Sequence, residues 1–429
     1  MKHYRFAQLL SLVAISTWLS GCNDASPGSG GALEKSRPRD FSVPKEPDLS
    51  VTPVVEQPQP QPQPRLRPPE QTKHALFVRS SRCGECHEKM RIEWLESAHA
   101  KASHHAGYRR ALAAAPDAVR VLCESCHLPS RAYGQPDEEP NRPSEGVSCD
   151  GCHTLSAVQV NKTSTTMTFD PTSGKKYGPI VGASGHYFHD MAYSVLHTKS
   201  EMCAGCHHMT AFTIGSTTHE IPVVTDYSDW QRLGKGKQCQ DCHMPSRGTE
   251  AVARGSKPRA NVPSHLFPSS AALSKLIKFE LSPKSKPGEL SIDIQHNAGH
   301  MMPSGYVDRR LLVRAEFFGA DGAKLATEDR AYGIFLADES GQPAPFWKAS
   351  KIKEDRRMTP GKQYIETFKI PQAGASAAGK PTIAAAPVRV TISLLAAPTA
   401  PELSATYGEP ELSVLKSSSH NLPLRPGGK

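Results

Sequence analysis

CGECH, residues 83–87, is a frame that the chain repeats: CESCH follows at 123–127, CDGCH at 149–153, CAGCH at 203–207 and CQDCH at 239–243. The chain has eleven cysteines, and the five copies use ten of them: Cys83, Cys86, Cys123, Cys126, Cys149, Cys152, Cys203, Cys206, Cys239 and Cys242. Only Cys22, near the N-terminus, stands apart. Each second cysteine is followed directly by a histidine: His87, His127, His153, His207 and His243. Two thiols three residues apart lie on one turn of helix, with the next side chain beside them. That grouping suits a flat macrocycle held by two thioether bonds, its iron over the imidazole, and it is the attachment frame of c-type haem. Zinc sites use paired Cys-x-x-Cys units but do not demand a histidine after each pair. Five disulfides would also leave the five adjacent histidines unexplained. The expectation is five c-type haems, with ten cysteines as covalent attachment points and five histidines as proximal iron ligands.

All five frames fall between residues 83 and 243, and only 38% of the chain is hydrophobic. Closely spaced macrocycles would then supply much of the interior that aliphatic side chains supply elsewhere. Electron hopping between them follows from the same crowding.

The N-terminus reads as an address. Lys2, His3 and Arg5 precede an apolar run, Phe6 to Leu19, that is too short for a comfortable membrane span. It ends in LSGC, residues 19–22, which resembles the lipobox of bacterial lipoproteins. That resemblance implies a signal peptide over 1–22 and acyl chains on Cys22. Asn23 after the cysteine leans towards the outer membrane. Residues 23–74 include SPGSGG and the proline-alternating EQPQPQPQPRLRPPE, which read as a disordered tether with extended polyproline character. The formal charge is +9, falling to +7 once Lys2 and Arg5 leave with the leader. No basic recognition helix accompanies it, so nucleic acid is excluded as a partner. The expected setting is an exported, lipid-anchored protein of a Gram-negative bacterium, at the outer membrane and facing the periplasm or the cell surface.

Five irons with one histidine each create a demand for sixth ligands. CGECHEKMRIEWLESAHAKAS, CESCH and EGVSCDGCH resemble the cytochrome c-554 family of multihaem cytochromes, relatives of pentahaem nitrite reductases and hydroxylamine oxidoreductases. SEMCAGCHH and DYSDWQRLGKGKQCQDCHMPS are similar to later haem segments of the same group. The resemblance covers about residues 83–268. It implies His99, in a stretch expected to be helical, as a distal ligand, and likewise His197, six residues before Cys203. His265 of PSHLFP is similar to a His-x-Phe after the last haem segment and is a further candidate. His186 and His189, expected one helical turn apart, offer another, with His189 preferred. His104 and His105 read as surface or propionate partners, and His208 as pointing away from the adjacent haem.

After Lys275 the texture changes. KLIKFEL, GELSIDIQH, RRLLVRAEFF, YIETFKI and VRVTISLL are short β-rich runs separated by Gly and Pro turns. The expected fold class is α+β: a mostly helical or irregular pentahaem domain over 75–268, an antiparallel immunoglobulin-like sandwich over 272–400, and a tail over 401–429. His296, on an apolar face, reads as a core histidine. NAGHMMPSG, residues 297–305, resembles a His-x-x-Pro-Thr-Gly loop of β-domains fused to multihaem cytochromes. His300 is therefore a candidate distal ligand lent by the β-domain, with ordinary loop packing, or ligation by Met301 or Met302, as the alternatives.

The expected function is electron transfer along five covalently bound haems, an electron carrier more than a catalytic reductase. Redox proteins such as quinol-linked or periplasmic cytochromes are the expected partners, and the membrane is reached through the lipid anchor. One alternative is an oxidoreductase acting on small nitrogen or sulfur compounds at one five-coordinate haem. No Cys-x-x-Cys-Lys frame, the catalytic signature of pentahaem nitrite reductases, is present. Another is a docking or filament-forming electron conduit that uses the β-sandwich.

Overall fold

The computed structural model of the chain describes residues 77–133, 145–234, 236–267, 270–374 and 385–422. The expected leader with Cys22 and the tether over 23–74 lie outside the described residues. No helix among the described residues is long and apolar enough to cross a membrane.

The haem-motif half is built from short helices: α1 (Ser80–Gly84), α2 (Glu88–Glu96), α3 (Ala106–Ala114), α4 (Asp117–His127), α5 (Pro129–Ala132), α6 (Cys149–His153), α7 (Glu201–His207), α8 (Asp226–Leu233) and α9 (Cys239–His243). Each Cys-x-x-Cys-His frame makes a helical turn, and the local chemistry shows why. At the first, the amides of Cys86 and His87 both donate to the Cys83 carbonyl, at 3.2 and 2.8 Å. Ser148 caps α6 by accepting from the Gly151 amide at 3.3 Å. Gln238 and Asp241 close a reciprocal capping box on α9. Helix α4 starts after Pro116 with Asp117 in its first turn, and stops where Leu128 leaves helical geometry before Pro129.

The first and third motif segments are knitted together. Trp94 Nε1 donates to the Val147 carbonyl at 2.8 Å, and the Val147 amide donates to the His99 carbonyl at 2.9 Å. Gly146 makes this approach possible: its φ is +64°, and a Cβ there would sit 2.4 Å from the His99 carbonyl oxygen. Helix α2 ends at Glu96, so His99 lies in the turns beyond it rather than on a continuing helix. His186 and His189 also depart from the expected helix. They face each other across a tight turn, each amide bonded to the other's carbonyl. A hairpin, Leu155–Val160 with Thr165–Phe169, joins the third and fourth motif segments and adds strand to a region read as helical or irregular.

The C-terminal half, after α10 (Ser270–Leu276), holds seven strands in two antiparallel sheets: β1 (Ile277–Leu281), β2 (Glu289–His296), β3 (Arg310–Phe318), β4 (Lys324–Tyr332), β5 (Tyr364–Lys369), β6 (Arg389–Ala397) and β7 (Ser413–Asn421). The order is β1-β2-β5 in one sheet and β4-β3-β6-β7 in the other. Leu290, Ile292 and Ile294 from the first sheet meet Val313, Phe317, Ile392 and Leu394 from the second in one buried core. His296 sits in that core with both ring nitrogens satisfied: Nε2 donates to the Met358 carbonyl at 2.9 Å, and Nδ1 accepts from the Ala298 amide at 3.3 Å. A separate hairpin, Ile334–Ala337 with Lys351–Asp355, stands outside these sheets.

Two expected boundaries are corrected. The segment from 401 is no tail: after α11 (Ser404–Tyr407), β7 pairs along β6 from Ser413 to Asn421. The two halves also share a core. Ala111 and Val119 of α3 and α4 pack in one cluster with Phe212, Val307, Phe346, Trp347 and Tyr407. All described residues belong to one compact unit. The β-half needs this neighbour because its hairpin and α11 present apolar faces that its own sheets do not cover.

Candidate haem-binding sites

Four of the five motif histidines are held in a form suited to iron. Nδ1 of His87 bonds the Val252 carbonyl at 2.7 Å, Nδ1 of His127 the Ala102 carbonyl at 2.9 Å, and Nδ1 of His153 the Tyr177 carbonyl at 2.7 Å. A carbonyl only accepts, so Nδ1 carries the proton and Nε2 keeps its lone pair for a metal. Nδ1 of His207 donates instead to the Asp226 carboxylate, 2.9 Å to Oδ2. The same selection operates on three candidate distal rings: Nδ1 of His189, His265 and His300 bonds the carbonyls of Asp190, Pro263 and Met301 at 3.2, 3.2 and 3.1 Å.

Four motif rings face a second imidazole at one characteristic spacing. Ring centroids lie 6.3 Å apart for His87 and His189, 6.3 Å for His153 and His265, 6.2 Å for His243 and His300, and 6.4 Å for His207 and His99. A metal bonded at about 2 Å to one nitrogen of each ring requires roughly this separation. The first three pairs have ring planes 22–31° apart, whereas His99 and His207 are nearly perpendicular at 84°. Burial pushes His99 down to about 3, and His243 and His265 each to about 4, so these rings stay neutral near pH 7. A neutral ring is the form that ligates.

His197 departs from its expected role. It lies 5.8 Å from His153, on the motif that His265 already faces, and one iron accepts only one of them. Its Nε2 is turned to the Cys152 carbonyl at 3.1 Å, while its Nδ1 is buried without a partner. His265 has the free Nε2 and the longer spacing that His197 lacks. His127 departs in the opposite sense. Among the described residues no imidazole faces it at ligand-pair spacing; Tyr108 instead stacks on it at 4.2 Å, planes 12° apart. His105, expected as a surface or propionate partner, turns its Nδ1 to accept from the Gly107 amide and caps α3. His208 points to the Asn161 carbonyl and His219 stacks on Phe212, so neither joins a motif ring.

The His207 side chain keeps 44% of its surface uncovered, and Arg309 is exposed. Nine of the ten motif cysteines are partly open and Cys242 is exposed, whereas unreactive free cysteines are among the most buried of residues. Among the described residues no group of three or more His, Cys, Asp or Glu side chains converges as a bare metal ion would need. Paired thiols, imidazoles with free Nε2 and facing rings at metal-bridging spacing fit haem.

Cysteines of different motifs lie side by side: Cys83 by Cys149, Cys126 by Cys206, and Cys203 by Cys239. Cys152 lies within electrostatic reach of Cys203 and Cys206. The motif order in space is therefore first, third, fourth, fifth, with the second branching from the fourth. The sequence reading missed Asp226 altogether, although an acidic residue opening α8 was the available signal.

Comparison with known proteins agrees with this site. Residues 82–154, which hold the first three motifs, match the family described as cytochrome c554 and c-prime. No curated protein matches the chain. The fold is shared with a penta-heme cytochrome c552 from Thermochromatium tepidum, at TM-score 0.60 and 20% identity, over 82% of this chain and 100% of that one. A putative beta-galactosidase from Bacteroides fragilis aligns at TM-score 0.16 and 13% identity, over 36% of this chain and 16% of that one, and carries no argument. The family match covers the first three motif frames, and the shared fold extends over most of the chain.

Proposed function

We propose that this chain is an exported, lipid-anchored electron carrier with five c-type haems, one on each Cys-x-x-Cys-His frame. The observation that carries the reading is the set of four imidazole pairs at 6.2–6.4 Å, each with one motif histidine. Bound haem supplies one-electron exchange between ferric and ferrous iron. The chain's residues supply the rest. His99, His189, His265 and His300 close the open faces opposite His207, His87, His153 and His243 and exclude exogenous ligands there. The adjacency of the frames sets the route, from 83–87 through 149–153 and 203–207 to 239–243. The LSGC cysteine and the proline-rich tether support an anchor on Cys22, with redox proteins outside the cytoplasm as partners. The strand order, three on four, supports reading the β-half as an immunoglobulin-like sandwich that lends His300 across the shared core.

A second reading is favoured by one observation, the lack of a facing imidazole at His127 among the described residues. The position opposite His127 is then left to water or a small ligand, and the site could act on small nitrogen or sulfur compounds. Arg309 is close enough to His127 to shift it, and Tyr306 and Cys123 both pack against the core that the two halves share. Intact-mass measurement of the mature protein tests the first reading: five haem additions are expected, and fewer overturn it. Turnover assays with nitrite, hydroxylamine and sulfite test the second. Consumption of any of them by the dithionite-reduced protein, lost on carbon monoxide addition, establishes it, and inert behaviour leaves a carrier.

A further inference from the structure

We propose that Asp226 holds the reduction potential of the haem on the 203–207 frame below that of the other imidazole-paired haems, making it the low-potential junction of the chain. This rests on the haem-carrying reading above. His87, His127 and His153 each give their Nδ1 proton to a neutral carbonyl, but His207 gives it to a carboxylate, 2.9 Å away. A carboxylate draws that proton harder, so the ring becomes a more anionic donor and favours ferric over ferrous iron. Its own negative charge acts in the same direction.

Asp226 is fixed for this task. Its other oxygen, Oδ1, accepts from the Gly305 amide at 2.7 Å, and the residue opens helix α8. Gly305 belongs to the loop that carries His300, so one carboxylate ties the fourth motif to the loop facing the fifth. On the opposite side the Nδ1 of His99 is buried with no partner, so no second acceptor competes across the site. Arg309 lies near enough to feel the carboxylate and offsets part of its charge. Arg357 does not, because Asp229 and Asp355 hold its guanidinium at 2.7 and 2.8 Å. The 203–207 frame touches both the 123–127 and the 239–243 frames, so its potential governs passage between them. Each reduction adds one electron to iron, breaks no bond in the chain and leaves the shared proton between His207 and Asp226.

The wild-type holoprotein allows a direct test. Nearly perpendicular imidazole planes leave two iron d orbitals almost degenerate and give a strongly anisotropic ferric EPR signal; nearly parallel planes do not. The 84° between His99 and His207 therefore labels this haem among the four pairs. In a potentiometric titration followed by EPR, that signal should be the last low-spin signal lost on reduction; losing it before any other overturns the proposal. Asp226→Asn is nearly isosteric. It should move the most negative midpoint potential upward by at least about 59 mV, a tenfold change for one electron, while Asp226→Glu, which keeps the charge, should move it less. An unchanged lowest potential in Asp226→Asn, with five haems retained, also overturns it. A haem count below five in the wild type would instead fault the functional reading.

Discussion

Replacing His300 with alanine removes the ring that faces His243 at 6.2 Å and nothing else of structural weight. Among the described residues its side chain makes one local hydrogen bond, from Nδ1 to the Met301 carbonyl at 3.1 Å, worth about 1 kcal/mol. The loop is anchored by other groups. Met302 and Met358 exchange amide–carbonyl bonds at 3.0 and 2.6 Å, and the Gly305 amide rests on Asp226. The loop and the haem content should therefore survive. With four imidazole pairs, the wild type should show one high-spin haem in five, at His127. His300→Ala should show two, so the high-spin fraction doubles. Ferric EPR and the near-infrared charge-transfer band measure that fraction, and added imidazole should return it to the wild-type value. An unchanged fraction at full haem content would refute the pairing and leave this loop as an ordinary turn.

His265→Ala should likewise add one high-spin haem, whereas His197→Ala should not; the reverse pattern would reassign the 149–153 site. Phe317 is fully buried between the two sheets, so Phe317→Ala should cost about 3–5 kcal/mol in a denaturant or thermal melt. A cost under about 1 kcal/mol would mean that β3 does not face the first sheet. Asp355 gives a pH dependence. Burial works to raise its pKa, but the hydrogen bonds and charge of Arg357 outweigh it and hold the group below its usual value. A depressed carboxylate stabilises the fold above its unfolded pKa, about 3.9, and the benefit fades as pH falls through the lower folded value. The Tm gap between wild type and Asp355→Asn should therefore be open at pH 6 and closed near pH 2; a gap that widens on acidification contradicts the assignment.

The motif helices were legible because the chemistry is local: two thiols and an imidazole must share one turn, and Ser148 or Gln238 sits where a cap is needed. The strands were legible from alternation, as in Val390, Ile392 and Leu394, all fully buried. Pairing was not. His99 reaches His207 and His300 reaches His243 through tertiary packing that no spacing encodes. His197 stood in the expected place in sequence but turned its Nε2 to a backbone carbonyl. That no imidazole faces His127 among the described residues leaves no mark in sequence at all. Strand β7 reads poorly as a strand because Ser417, Ser418 and Ser419 occupy its centre, where Ser417 and Ser419 pair with Ser393 and Thr391 through side-chain hydroxyls. Asp226 was hidden for another reason: an acidic residue at a helix start is unremarkable until the His207 ring is seen against it.

The central claim is that five haems are held, four by paired imidazoles and one by His127 alone. A quantitative EPR spectrum of the fully oxidised holoprotein, with carbon monoxide then added to the reduced form, tests it most directly. The account predicts three ordinary low-spin signals, one strongly anisotropic low-spin signal and one high-spin signal, with carbon monoxide binding a single haem. Five low-spin signals and no carbon monoxide response, or more than one high-spin haem, would contradict it.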